Sequence, residues 1–216
     1  MRFAYVVDVH GRPQSVTEAV GAIGEIDLLI VGGDITTAGT PDDAEQAVES
    51  WRPLAPRLLA LAGNMDSPEI DRRLAELGVA LDGRGTTLDG IGFFGVSAAP
   101  ISPLRTPYEL HDSELWERIE RGFEAVKACS VTVFCPHAPP AGTACDRLST
   151  GEHVGSAVIR AFVEREQPAV VLCGHIHESR ATDSIGQSRI VNPGPVSAGH
   201  YAVVEIGEEI QIRLDE

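Results

Sequence analysis

The stretch LLIVGGD, Leu28 to Asp34, sets the reading of the whole chain. Four consecutive aliphatic residues admit no polar face, so the run reads as a short strand covered on both sides, the kind found in parallel sheets. Two glycines stop it, and an aspartate follows. Four other stretches repeat the pattern: FAYVVDVH (Phe3 to His10), LLALAGN (Leu58 to Asn64), VTVFCPH (Val131 to His137) and VVLCGHIH (Val170 to His177). Each is an apolar run that ends on Gly, Pro or Asp and then presents Asp, Asn or His.

Helix signals fall between these runs. Ser15 to Glu18 reads SVTE, a capping box, and Thr40–Pro41 and Ser67–Pro68 each pair an N-cap with a proline at the first helical position. Asp112–Lys127 and Val154–Glu166 read as longer helices. Alternation of strand and helix implies an α/β fold, with the functional site beyond the carboxyl ends of the strands. Ile91–Val96, Arg189–Val191, Tyr201–Ile206 and Gln211–Leu214 read as strands of a second sheet. With 216 residues, 43% of them hydrophobic, residues 1–216 are expected to form a single domain of two sheets packed between helices.

The composition narrows the function classes. A formal charge of −15 with no run of Lys or Arg argues against duplex nucleic acid as partner. Cys129, Cys135, Cys145 and Cys173 show no CxxC spacing and read as reduced thiols. The start, MRFAYVVDVHG, fits neither a signal peptide nor a membrane span, so a soluble, cytoplasmic chain with no membrane partner is expected.

The candidate donors are Asp8, His10, Asp34, Asn64, His137, His175 and His177. Oxygen and imidazole donors without thiolate suit Mn, Fe, Zn or similar ions rather than a structural cysteine-rich zinc site. Seven donors exceed one tetrahedral ion and suit two ions that share a carboxylate. Asp8 with His10, and His175 with His177, are i, i+2 pairs whose side chains would point the same way in extended chain. Two ions about 3.5–4 Å apart would clamp a phosphoryl group for in-line attack.

The series DVH, GGD, GNMD, PH and GHIH resembles, in order, the five signatures of the calcineurin-like metallophosphoesterases. The resemblance spans Asp8 to His177, and Asn192 to Pro195 is similar to a feature of the family's small bacterial and archaeal phosphodiesterase-like branch. It implies a four-layer α-β-β-α sandwich and two divalent metal ions, Mn²⁺ favoured and Fe, Zn, Ni or Co admissible. Asp8, His10, Asp34 and His177 would hold the first ion, and Asp34, Asn64, His137 and His175 the second. Asp34 would bridge, a bridging hydroxide would be the nucleophile, and Asp34, Asn64 and His137 would be the catalytic group. The implied partner is a small phosphate ester, with a homo-oligomer left open.

Met65 departs from the family pattern, which has a histidine there that protonates the leaving oxygen. A thioether donates no proton. Either the substrates are esters whose leaving group needs little protonation, or diesters whose leaving oxygen finds help elsewhere, or another group such as His111, His153 or His200 donates. In the third reading the chain is a catalytically silent scaffold for protein contacts. Asp66 reads equally as a support for a site ligand or a partner of the helix opening at Ser67. Arg105 and Arg147 sit in Pro- and Gly-rich loops, Ala98–Asp112 and Ala138–His153, of the kind that carries specificity.

Overall fold

A computed structural model describes residues 1–215. The strands are β1 (Arg2–Val6), β2 (Leu28–Val31), β3 (Leu58–Ala60), β4 (Gly85–Leu88), β5 (Ile91–Val96), β6 (Ala99–Pro100), β7 (Glu109–Leu110), β8 (Val131–Pro136), β9 (Val170–Leu172), β10 (Ala181–Ile185), β11 (Ser188–Asn192), β12 (Tyr201–Ile206) and β13 (Ile210–Asp215). The helices are α1 (Pro13–Ile23), α2 (Pro41–Trp51), α3 (Pro68–Glu76), α4 (Asp112–Glu124) and α5 (Ala157–Glu166).

One sheet runs β13-β12-β1-β2-β3 and the other β10-β11-β9-β8-β5-β4, with β6 and β7 forming a small separate pair. β1, β2 and β3 are parallel, and so are β11, β9, β8 and β5. The tail corrects one expectation. β12 pairs antiparallel with β1, and β13 with β12, so both extend the first sheet, not the second. Apolar periodicity marks a strand but carries no information about which edge it will join. β5 and β11 do lie in the second sheet, as expected.

Alternate residues of each strand face opposite sides, which explains the unbroken apolar runs. Phe3, Tyr5, Leu28 and Ile30 meet Phe93, Val133, Val170 and Leu172 between the sheets. Ala4, Val6, Leu29 and Val31 pack with Val16, Val48, Trp51 and Ile70 of the helices on the other face. On the second sheet Phe94 stacks on Phe134 at 4.7 Å and meets Phe162 of α5 edge-on at 5.8 Å. The result is the expected four-layer α-β-β-α sandwich.

Three helix starts, those of α2, α3 and α4, follow the sequence and two do not. Thr40 caps α2 in a reciprocal box with Asp43, and Ser67 caps α3. The SVTE box is unused: α1 begins at Pro13, and Arg12 before it gives no side-chain cap. Proline preorganises the first turn two residues earlier and leaves Ser15 inside the helix. α5 opens at Ala157, three residues after Val154, because Ser156 accepts the Ile159 amide at 3.2 Å. All four cysteines are free. Among the described residues no helix is long and apolar enough to cross a membrane.

Phe94 lies at the centre of the aromatic stack and is fully buried. Phe94→Ala is expected to cost about 3–5 kcal/mol in urea unfolding. A loss below about 1 kcal/mol, the range of surface substitutions, would show that this layer does not hold the second sheet to its helices.

Candidate metal centre

The register places the site. Val6 pairs with Val31 and Val31 with Ala60, so β1, β2 and β3 end level, and β8 and β9 run parallel beside them in the second sheet. The seven candidate donors all follow these five ends. The strands stop short of the donors, however, so Asp8, His10 and His175 do not converge by strand alternation. Asp8, His10, Asp34 and His175 occupy left-handed backbone, with φ of 58°, 50°, 48° and 67°. Each such residue costs on the order of 1–3 kcal/mol and persists only where its surroundings fix it. The fixing bonds run from loop to loop: Asp8 N–H to Gly33 O at 3.1 Å, His10 N–H to Asp34 O at 2.8 Å, and Gly174 N–H to His137 O at 2.9 Å.

Asp34 is the hinge of the arrangement. Its Oδ2 lies 3.6 Å from His10 Nε2, and its Oδ1 lies 3.6 Å from His137 Nε2 and accepts the Met65 amide at 2.7 Å. On one side, ligand atoms of Asp8, His10, Asp34 and His177 all fall within 4.8 Å of one another. On the other, Asn64 Oδ1 lies 3.0 Å from His137 Nε2 and 2.6 Å from His175 Nδ1. All seven residues are therefore brought together, in two groups that meet at Asp34. A Cβ on Gly63 would collide with Asp34 Oδ1, so only glycine lets the third loop approach this closely.

The donor set carries an electrostatic conflict. Asp8 and His137 are fully buried, and Asp34 and Asn64 nearly so. Burial, then the Asp34 charge, pushes the Asp8 carboxyl well above its ordinary range, and burial pushes Asp34 up to about 7. Burial also lowers the imidazoles, His10 and His137 to about 4 and His175 to about 3. His137 Nδ1 faces the Gly32 carbonyl at 2.9 Å, which can only accept, so its Nε2 presents a lone pair to the site. His10 Nε2 and His177 Nε2 stand 3.1 Å apart. Neutral imidazoles beside two buried carboxylates match the requirements of divalent cations, whose charge inverts the local pKa logic. The chemistry of the set thus fits metal.

Supporting residues lock the loops. Asp66 is buried and accepts from the Ile35, Thr36 and Gly63 amides at 2.9, 2.8 and 2.9 Å and from Thr36 Oγ1 at 2.7 Å. It therefore ties the Asp34 loop to the Asn64 loop, while Ser67 alone caps α3. Thr37 Oγ1, 3.0 Å from His10 Nδ1, orients that ring. Asn192 donates to the carbonyls of Ile176 and Cys145 at 3.0 and 3.3 Å and accepts from Gly194, so it makes a turn and also tethers the segment between His175 and His177. The sequence held no spacing signal for Thr37. Met65 is half-buried and contributes its backbone to Asp34.

The other candidates are engaged elsewhere or at the surface. His153 Nδ1 lies 2.7 Å from Asp146, His111 precedes α4 at an exposed position, and His200 packs beside Gly194. Arg105 and Arg147 are exposed in their loops.

Residues 1–179 match the family model for calcineurin-like phosphoesterases. The chain belongs to the calcineurin-like phosphoesterase family. A curated relative, an uncharacterized protein of Methanocaldococcus jannaschii, is 31% identical over 204 residues, covering 91% of this chain and 89% of that one. Among solved structures, a Thermus thermophilus protein superposes with a TM-score of 0.75 at 16% identity, covering 98% of this chain and 97% of that one. A dimetal phosphatase from Danio rerio gives 0.66 at 10% identity, covering 99% and 95%. These structural likenesses establish the shared fold. Family membership and the donor cluster make the protein a metal-dependent phosphoesterase.

Because Asp34 retains its proton up to about pH 7, metal must displace that proton below neutrality. Calorimetric titration with Mn²⁺ at pH 6, in buffers of different ionisation enthalpy, is expected to show release of about one proton or more per chain, with affinity rising towards pH 8. Binding without proton release at pH 6 would remove Asp34 from the ligand set.

Proposed function

We propose that the protein hydrolyses phosphate esters, with diesters preferred, at a dinuclear centre bridged by Asp34. The observation that carries this reading is the placement of Asp34's two oxygens, one 3.6 Å from His10 and the other 3.6 Å from His137. In this reading Asp8, His10, Asp34 and His177 would hold one ion, and Asp34, Asn64, His137 and His175 the other, Mn²⁺ being favoured. When bound, the ions polarise the phosphoryl oxygens and lower the pKa of water. The chain's own residues do the rest. The buried ring of His137, the half-buried His175 and the Asn64 amide form the floor. The His10 and His177 side chains, 21% and 47% exposed, form the open edge from which substrate arrives.

Position 65 sets the preference among esters. The Met65 amide holds Asp34, so the side chain is excused from metal binding and offers no proton to a leaving oxygen. His111, His153 and His200 are not among the seven converging residues, and His153 is paired with Asp146. Esters with leaving groups that depart unprotonated are therefore favoured. Met65 also supports the rival reading of a silent scaffold, against which stands the convergence of all seven donors.

The deciding assay compares bis-p-nitrophenyl phosphate with p-nitrophenyl phosphate, with and without Mn²⁺. Metal-dependent turnover favouring the diester is expected, and Asp34→Ala should abolish it together with metal uptake. Silence on both esters with metal bound would select the scaffold. Met65→His is expected to raise turnover of monoesters with poor leaving groups by about 10²-fold or more. An unchanged rate would show that position 65 does not set the preference.

A further inference from the structure

Four of the chain's 17 lysines and arginines line one cavity of about 620 Å³ that contains none of the seven metal donors. Arg118 and Arg121 come from successive turns of α4, Arg84 precedes β4, and Arg72 lies on α3. Four carboxylates, Asp71, Asp82, Glu114 and Glu117, share the lining, and two of the guanidiniums are held in place before any ligand arrives. Arg118 donates to Asp82 at 2.8 Å and to the Tyr108 hydroxyl at 2.6 Å. Arg121 donates from Nε to the Gly83 carbonyl at 3.1 Å, and its guanidinium occupies the space that a Cβ on Gly83 would need. Gly83, with φ +57°, is thus the seat of Arg121.

The carboxylates of the walls are mostly committed. Asp82 takes Arg118 and the Ser97 amide, and Asp71 takes the Ser97 and Tyr108 hydroxyls at 2.8 Å each. Glu114 accepts the His111 amide, and Arg72 is paired with Glu69. Arg84 has no hydrogen bond or ion pair from its side chain among the described residues. That leaves Arg84 and the terminal nitrogens of Arg121, beside the fixed Arg118, against two exposed carboxylates, Glu114 and Glu117. Planar guanidinium forks in this grouping match the oxygens of a phosphate.

We propose that the cavity is a second anion-binding site that takes a phosphate group, either free phosphate or the phosphate of a small metabolite. Its floor is joined to the metal loop. Tyr108 N–H donates to the Asn64 carbonyl at 3.0 Å, and Ser97 Oγ accepts the Ala62 amide at 2.9 Å. The proposal does not depend on the catalytic reading.

The test is calorimetric titration of the full chain, loaded with Mn²⁺, with inorganic phosphate and, separately, glycerol phosphate. Asp34→Ala, which removes the metal centre, is expected to retain one binding event. That event should weaken roughly tenfold or more in Arg84→Gln/Arg121→Gln, as loss of charge-assisted hydrogen bonds requires. It should strengthen in Glu117→Gln, which removes one of the two exposed carboxylates and keeps the arginines. Tighter binding of glycerol phosphate would assign the site to a phosphorylated metabolite, and the reverse to free phosphate. If Asp34→Ala abolishes all phosphate binding, or the double arginine variant titrates like wild type, the proposal fails.

Discussion

Everything at the carboxyl ends of the sheets answers one constraint: two carboxylates, Asp8 and Asp34, are buried within reach of each other. Removing an ion from water costs several kcal/mol, and a second like charge nearby adds to that cost. The protein does not relieve the conflict with Lys or Arg among the seven converging side chains. It surrounds the pair with neutral imidazoles and an amide, which ligate cations and cannot neutralise anions. The centre is therefore preorganised for positive charge, and the loops that carry it work against both electrostatics and backbone preference. Four of the donors sit in left-handed backbone, and cross-loop amide–carbonyl bonds hold them there.

Asp66 shows how such a site is maintained. Its carboxylate is buried too, and burial with the Asp34 charge raises it to about 6, against the pull of the amides that point at it. It cross-braces two ligand loops with no contact to the outside. Asn192 does the same for the turn between His175 and His177, and Tyr108 and Ser97 do so for the Asn64 loop. The donors come from five loops, and each loop rests on a polar residue or a neighbouring backbone, so no donor depends on its own loop alone.

Much of this was legible in the sequence because five apolar runs ended in donors, and burial on both faces leaves a run no room for polar residues. The seven donors, the caps at Thr40 and Ser67, and strands such as Ile91–Val96 follow from local chemistry. What local chemistry could not supply was partnership. Tyr201–Ile206 reads as a strand, but its pairing with β1 joins the two ends of the chain and depends on which sheet edge is left open. Asp66 carries no periodic signal, and only the approach of the Asp34 loop distinguishes a brace from a cap. The convergence of Asp8 with His10 was anticipated for the wrong reason: left-handed turns, not strand alternation, aim these side chains.

The bond from the Met65 amide to Asp34 separates what the main chain does at this position from what the side chain does. The main chain at position 65 serves the metal centre, and every residue type except proline supplies that N–H. The side chain is then free to vary while that hold on Asp34 stays intact. Any substitution at position 65 other than proline therefore keeps this hold on Asp34, whatever side chain it turns towards the site.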